Sequence, residues 1–507
     1  VSEQQQAPHL SAEQFRTEAH KVIDWIADYW ATVGERPVLS TVEPGSVAEA
    51  VDGPIPDDPE PLEQVLSDVD RLLVPGLTHW QHPRFFAYFP ANSSPAAVLG
   101  DLLSSGIGAQ GMLWATSPSV SELEQVVLDQ LARALGLSEA FCHRREDGSP
   151  GAGGGVIQDT ASTATFTALL AALHRATGGR ARTEGVESGR YTVYASSQAH
   201  SSLQKAAMMS GLGERAVRTI DVDAWTQQLD VAALAEALKA DVAAGRVPVM
   251  VQACVGTTGT GAVDPVTEMG ALAHRHGAWL HVDAAWAGVA ALCPEHAWVN
   301  AGVAEHADSY VTNPHKWLLT TFDCSSFWVR DRSALVGALS ILPEYLRNPA
   351  SESGAVVDYR DWHPQLGRRF RAVKLWTVLR SYGLSGLRAH LRAGVAQAAR
   401  VTGLVDADPR FTPAAPPCLG LVAFRLAADA SGARLPDAEA DRLTAALMTA
   451  VNTSGEAYLS HTQLSGRTVL RWAVGGWQTT AADVERTWQV LSDAADELLG
   501  HAAATPG

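Results

Sequence analysis

Near the start of the chain, Phe15, Ala19, Val22, Ile23, Ile26, Trp30 and Val33 recur at helical spacing behind the capping box Ser11-Ala-Glu-Gln14. A second stripe, Leu62, Val65, Leu66, Val69, Leu72 and Leu73, follows a proline- and acid-rich stretch that reads as a loop to about residue 60. Two amphipathic helices without a strand between them cannot close a core, so segment 1–99 must bury its stripes against another surface. From about residue 100 the pattern changes. Ser121-Glu-Leu-Glu124 predicts the capped start of a helix running to about Leu137. Gly151-Ala-Gly-Gly-Gly155 predicts a turn, and a helix is predicted over 163–177. Strands are predicted over 191–196, 216–222, 249–255, 278–282, 307–312 and 325–329, with further helices over 224–244 and 266–276. This alternation implies an α/β domain over 100–360 with a mostly parallel central sheet. Helices over 369–382, 384–401, 438–451 and 480–499, grouped with strands over 419–426, 456–460 and 468–474, imply a small α+β domain over 361–507.

Composition narrows the function classes. With 507 residues the chain exceeds one ordinary core, and 46% hydrophobic with 18% charged residues suits a globular protein. A formal charge of −17 disfavours nucleic acid and anionic lipid as partners, because both demand a basic face. Cys142, Cys254, Cys293, Cys324 and Cys418 are scattered, which reads as reduced thiols in a cytoplasmic protein. His79-x-x-His82 and His274-x-His276 have metal-like spacing but no cysteine or carboxylate company, so no metal site is expected. No leader-like segment and no apolar run of the roughly 20 residues a membrane span needs are visible, which predicts a soluble protein.

The chemistry concentrates in His281-Val-Asp-Ala-Ala-Trp-Ala-Gly288 and Asn313-Pro-His-Lys-Trp317. Asp283 follows one predicted strand and Lys316 the next, and ligands of open α/β sheets gather at strand carboxyl ends. Alone, Lys316 would read as a solvated lysine and Asp283 as a turn or cap residue. Together they supply what pyridoxal phosphate (PLP) requires: an amine for an imine with its aldehyde and an acid for its ring nitrogen. Thr160-Ala-Ser162 stands at a helix start, where free N–H groups favour an anion.

Both motifs closely resemble the group II PLP-dependent decarboxylases, the aromatic-L-amino-acid decarboxylases in particular, over residues 10 to 395 and more weakly beyond. The resemblance implies the aspartate-aminotransferase-type (type I) fold and a homodimer with shared active sites, the N-terminal segment clasping the partner. It implies that Thr160, Ala161, Ser162, Asn313 and His315 hold the phosphate, with Asp159 a departure whose carboxylate must point away. His200 would lie flat on the ring and help seat the substrate carboxylate, Ala285 would pack on the other face, and Thr258 would stand nearby; on sequence alone Thr258 serves equally well as a strand-to-helix cap. Tyr345, in a loop over 340–355, is the implied general acid, reaching the neighbouring subunit's site. Trp80, Tyr88, Phe89 and Pro90 match the family's aromatic side-chain wall, although Phe85-Phe-Ala-Tyr-Phe89 also reads as a buried run. Gly367 matches a substrate-selecting position, while Ala91, Gln110, Met112 and Trp286 depart from the animal enzymes, Gln110 and Met112 still being expected at the substrate. The implied activity is decarboxylation of aromatic L-amino acids to amines. An aldehyde synthase, or a decarboxylase of histidine or an acidic amino acid, is the alternative.

Overall fold

The computed structural model describes residues 9–341 and 356–504, with side chains through residue 500. Its seven-stranded sheet comprises β1 (Gly154–Gln158), β2 (Tyr191–Ser196), β3 (Val217–Ile220), β4 (Val247–Cys254), β5 (Trp279–Asp283), β6 (Ser309–Thr312) and β7 (Ser325–Val329). The order is β1-β7-β6-β5-β4-β2-β3. β6, β5, β4, β2 and β3 pair in parallel, and β7 runs antiparallel to both β6 and β1. β1 therefore points the same way as those five strands, and six carboxyl ends open on one edge.

Neighbouring residues of each strand enter different cores. Ile157, Tyr194, Val251 and Leu280 pack on one face, while Val156, Val193, Met250 and Trp279 pack on the other. Helix Pro118–Ala134 covers the first face with Val127, Leu128 and Leu131, and helix Ala161–Thr177 covers the second with Ala164, Ala168 and Leu169. A sheet buried on both faces needs apolar residues at consecutive positions, hence the continuous runs in these strands.

A second sheet holds β8 (Phe411–Pro413), β9 (Leu421–Leu426), β10 (Ser460–Leu464) and β11 (Arg467–Ala473) in the order β10-β11-β9-β8, all antiparallel. Phe86, Leu447, Trp472 and Leu491 fill the core between it and helices Asp437–Thr453 and Ala481–Ala504.

Four local expectations change. The glycine run is not a turn: its second half is β1, and its glycines allow close packing. A Cβ on Gly153 would lie 2.1 Å from Ala140 O and 2.3 Å from Val329 O, and one on Gly155 would lie 2.6 Å from Trp328 Nε1. Ser121 does not cap its helix, which begins at Pro118; Ser121 and Glu124 are both buried inside it. The strand expected over 456–460 is Ser460–Leu464. Helix Pro95–Ile107, capped by Ser94 and ended by the left-handed Gly108, lay in a stretch read without structure. The break between the helices expected over 369–382 and 384–401 survives as a non-helical Gly383 inside Arg371–Ala407. Among the described residues no helix is long and apolar enough to cross a membrane, and all five cysteines are unpaired.

Candidate active site

β5 ends on Asp283, and β6 passes through Asn313 into the single turn Pro314–Trp317 that carries Lys316. Because these strands are parallel neighbours, with Asp283 opposite Val311, the acid and the amine emerge on the same edge. Both line one cavity of about 210 Å³. β1 delivers Thr160, Ala161 and Ser162 to it, β2 leads to His200, and the turn after β4 adds Thr258. Ala285, Asn313 and His315 complete the ten residues expected at the cofactor, all of them in this lining.

Thr160 caps helix Ala161–Thr177 by accepting from Thr163 N, and the first-turn N–H groups of Ala161 and Ser162 have no intrahelical partner. Asp159 folds back on the backbone, its Oδ1 accepting from Thr160 N at 2.7 Å, and it stays out of the lining. His315 Nδ1 accepts from Cys324 N at 2.9 Å, which leaves the proton of the neutral ring on Nε2. Burial, with Lys316 adding to it, pushes His315 down to about 3, so the ring is neutral. Asn313 Oδ1 accepts from Ser325 Oγ at 2.6 Å, keeping its amide nitrogen as a donor. These groups offer the cavity donors suited to an anion.

In the same cavity Asp283 is 8% exposed and accepts from Ala285 N at 3.1 Å. Burial holds the Lys316 amine below its usual range, Asp283 opposes that shift and Arg471 adds to it. His200 Nδ1 accepts from Ser202 N at 3.2 Å; desolvation lowers its proton affinity, against a pull upward from Asp283. Backbone and side-chain donors, a carboxylate and a buried amine of lowered proton affinity, gathered in one cavity, suit the phosphate, ring nitrogen and aldehyde of PLP.

The cavity wall is aromatic. Phe89 stacks on Trp286 at 4.4 Å between centroids, and Trp286 stacks on Trp317 at 5.2 Å. Lys316 Nζ and the Arg471 guanidinium each lie 5.3 Å from the Phe89 ring centre. Of the residues expected at the substrate, Phe89 and His200 line the cavity. Trp80, Tyr88, Pro90, Gln110, Met112 and Gly367 do not. Tyr88 has a left-handed backbone (φ 50°) and is 49% exposed, stacking on Trp80 at 5.6 Å, while its neighbour Phe89 is buried. Gln110 and Gly367 adjoin each other elsewhere, a Cβ on Gly367 meeting Gln110 Oε1 at 3.7 Å. Tyr345 lies outside the described residues.

Sequence reasoning passed over Cys254, Gly256, Thr257 and Phe322 in the lining, gave Trp286 no site role, and missed Arg471 behind the wall. Cys254, Gly256 and Thr257 are adjacent to Thr258 at a strand end and could have been inferred with it. Phe322 and Arg471 carry no local signal, because sheet order and a long excursion of the chain bring them in.

Comparison with known proteins agrees with this geometry. Residues 44–427 match the pyridoxal-dependent decarboxylase conserved domain. The chain is 44% identical to phenylacetaldehyde synthase of Arabidopsis thaliana, over 97% of each. It is 43% identical to tyrosine decarboxylase 2 of Narcissus pseudonarcissus, over 97% of this chain and 95% of that protein. The crystal structure of Oryza sativa TDC with PLP and tryptamine superposes with a TM-score of 0.93 at 40% identity, over 97% of this chain and 100% of that one. Shared along nearly its whole length, this likeness joins a cavity lined by an acid, a buried lysine and the start of a helix, and the chain belongs to the family of PLP-dependent decarboxylases.

Proposed function

We propose that the protein decarboxylates aromatic L-amino acids to arylalkylamines and CO2, as a cytoplasmic homodimer. We read it as an N-terminal clasp (1–99), a cofactor domain (100–360) and a small domain (361–507). The observation that carries the substrate class is the stack of Phe89 and Trp286 beside Lys316, a flat apolar wall that favours a ring over a charged side chain. Relatives named tyrosine and tryptophan decarboxylases support it.

When bound, PLP supplies an electron sink for the pair released as the α-carboxylate departs. Lys316 would hold its aldehyde carbon and Asp283 would keep its ring nitrogen protonated. Thr160, Ala161, Ser162, Asn313 and His315 would hold its phosphate, and His200, Ala285 and Thr258 would border it, His200 also seating the substrate carboxylate. These residues would select decarboxylation by orienting the bound amino acid. To Tyr345 we assign the delivery of a proton to the α-carbon. Trp80, Tyr88, Pro90, Gln110, Met112 and Gly367 contribute to side-chain recognition.

Support for the dimer comes from helix Ala12–Thr32, which has no buried residue. Its Phe15, Val22, Ile26 and Trp30 form, with Leu99 and Leu102, an apolar groove of 340 Å³. So large an open apolar surface calls for a cover, and a second copy of the chain is the cover we assign.

The similarity to phenylacetaldehyde synthase favours a second reading, oxidative release of an aldehyde. Incubating PLP-loaded protein with tryptophan, phenylalanine and tyrosine, and assaying amine, aldehyde, CO2 and hydrogen peroxide together, separates the two. Amine with CO2 is expected. Aldehyde with peroxide would replace the proposal, and turnover of histidine or glutamate alone would end the aromatic assignment. Lys316→Ala should abolish product, and Tyr345→Phe should shift amine toward aldehyde.

A further inference from the structure

Glu124 and Arg368, neither of them in the cavity lining, form an ion pair at 2.6 Å with side chains 0% and 1% exposed. The pair sits at a junction of four segments. Glu124 Oε1 also accepts from Ile157 N at 2.8 Å, and the same Arg368 terminal nitrogen donates to Ile157 O at 3.1 Å. Its other terminal nitrogen donates to Gly111 O at 3.3 Å. Through the backbone, Arg368 N donates to Gln110 Oε1 at 3.2 Å and Gly111 N to Arg368 O at 3.1 Å. The guanidinium lies 4.6 Å from the centre of the Tyr359 ring, and Arg360 N donates to Met112 O at 3.0 Å.

The segment fastened in this way is Gln110–Met112 with Gly367. Ile157 is the penultimate residue of β1, the strand that runs directly into Thr160–Ser162. We infer that Arg368, held by Glu124, is a positioning residue for substrate recognition: it locks the Gln110–Met112 and Gly367 surface in register with the strand that delivers the anion-binding turn. This rests on the reading above, in which Gln110, Met112 and Gly367 face the substrate side chain.

Two observations separate this from a merely stabilising ion pair. Burying two charges is expensive, and apolar residues of equal volume usually serve stability as well or better. The pair is also incompletely satisfied, since Glu124 Oε2 and Arg368 Nε have no hydrogen-bond partner among the described residues. What an apolar pair could not supply is the fork that reaches Ile157 O and Gly111 O at once.

The test compares the PLP-loaded wild type with Arg368→Lys and with the double variant Glu124→Gln/Arg368→Met, which removes both charges at similar volume. KM and kcat for an amino-acid panel, urea midpoints and backbone hydrogen exchange of segments 110–114 and 365–369 are measured. In Arg368→Lys, KM should rise roughly three- to tenfold with kcat within about twofold. The ratio of kcat/KM between tryptophan and tyrosine should change, and exchange in both segments should quicken. In the double variant the urea midpoint should recover while KM and exchange stay raised. Recovery of KM together with the midpoint, or an Arg368→Lys protein with altered midpoint but unaltered KM, preference and exchange, would overturn the inference. If the wild type prefers a non-aromatic amino acid, the substrate proposal falls instead, and the same KM and exchange comparison with that amino acid still decides the role of Arg368.

Discussion

Arg471→Lys keeps a cation on β11 and removes the guanidinium fork. In the wild type, Nε donates to Gly259 O at 3.2 Å, one terminal nitrogen to Ser460 Oγ at 2.6 Å and the other to Tyr88 O at 3.3 Å. A lysine can serve one of these acceptors well, so two lose a charged donor. Such bonds contribute about 1.5–3 kcal/mol each, and water reaches the part-buried Tyr88 contact better than the buried Gly259 contact, which leaves a net loss of about 2–3 kcal/mol. Gly259 follows Thr258 and Tyr88 precedes Phe89, so the loss falls on two walls of the cavity. Urea unfolding followed by the fluorescence of the 15 tryptophans measures it. Arg471→Met removes the charge as well. Among the described residues Arg471 has no carboxylate partner, and burial lowers it to about 10. Its charge adds to the burial that holds Lys316 below its usual range, so without it Lys316 should keep its proton to higher pH. Reductive methylation of the cofactor-free protein across pH, with the Lys316 peptide read by mass spectrometry, gives that midpoint. Wild-type urea resistance in Arg471→Lys, or a Lys316 midpoint that fails to rise in Arg471→Met, would refute the reasoning.

Other outcomes follow from packing and burial. Gly153→Ala places a methyl against two backbone carbonyls that cannot rotate away, so a loss of 3 kcal/mol or more, together with weakened PLP retention, is expected from displaced β1. Gly403→Ala, in a helix with nothing within 4 Å, should instead stabilise by about 0.5–1 kcal/mol; equal effects of the two in thermal unfolding would contradict the packing argument. Burial depresses His82, His143, His281, His363 and His390 from 6.5 to about 4, and His315 to about 3. The unfolded chain then binds protons that the folded chain refuses, so their contribution is intact above pH 6.5 and is lost as pH falls toward 4, by about 3 kcal/mol per group at the bottom of that range. Urea midpoints taken from pH 7.5 to 5 should fall steeply, and a flat profile would count against buried neutral histidines.

The gathering of Asp283, Lys316 and Thr160–Ser162 in one cavity was legible because its signals are local. An acid closing an apolar run, a lysine in the turn after the next run, and hydroxyls at a helix start each state a backbone position within a few residues, and a mostly parallel sheet assembles such ends on one edge. Capping geometry was legible at Ser11 for the same reason, since both of its bonds close within three residues. Ser121-Glu-Leu-Glu124 has the same form and failed as a cap, because Glu124 is claimed by Arg368, 244 residues away. Gly153 and Gly155 read as a turn until Ala140, Trp328 and Val329 came close enough to exclude a side chain. Short-range periodicity records what a residue needs from its own turn or strand. Which distant partner meets that need, and whether Tyr88 or Phe89 faces the cavity, is decided by sheet order and core packing, where the pairing energies are comparable and only the assembled chain selects among them.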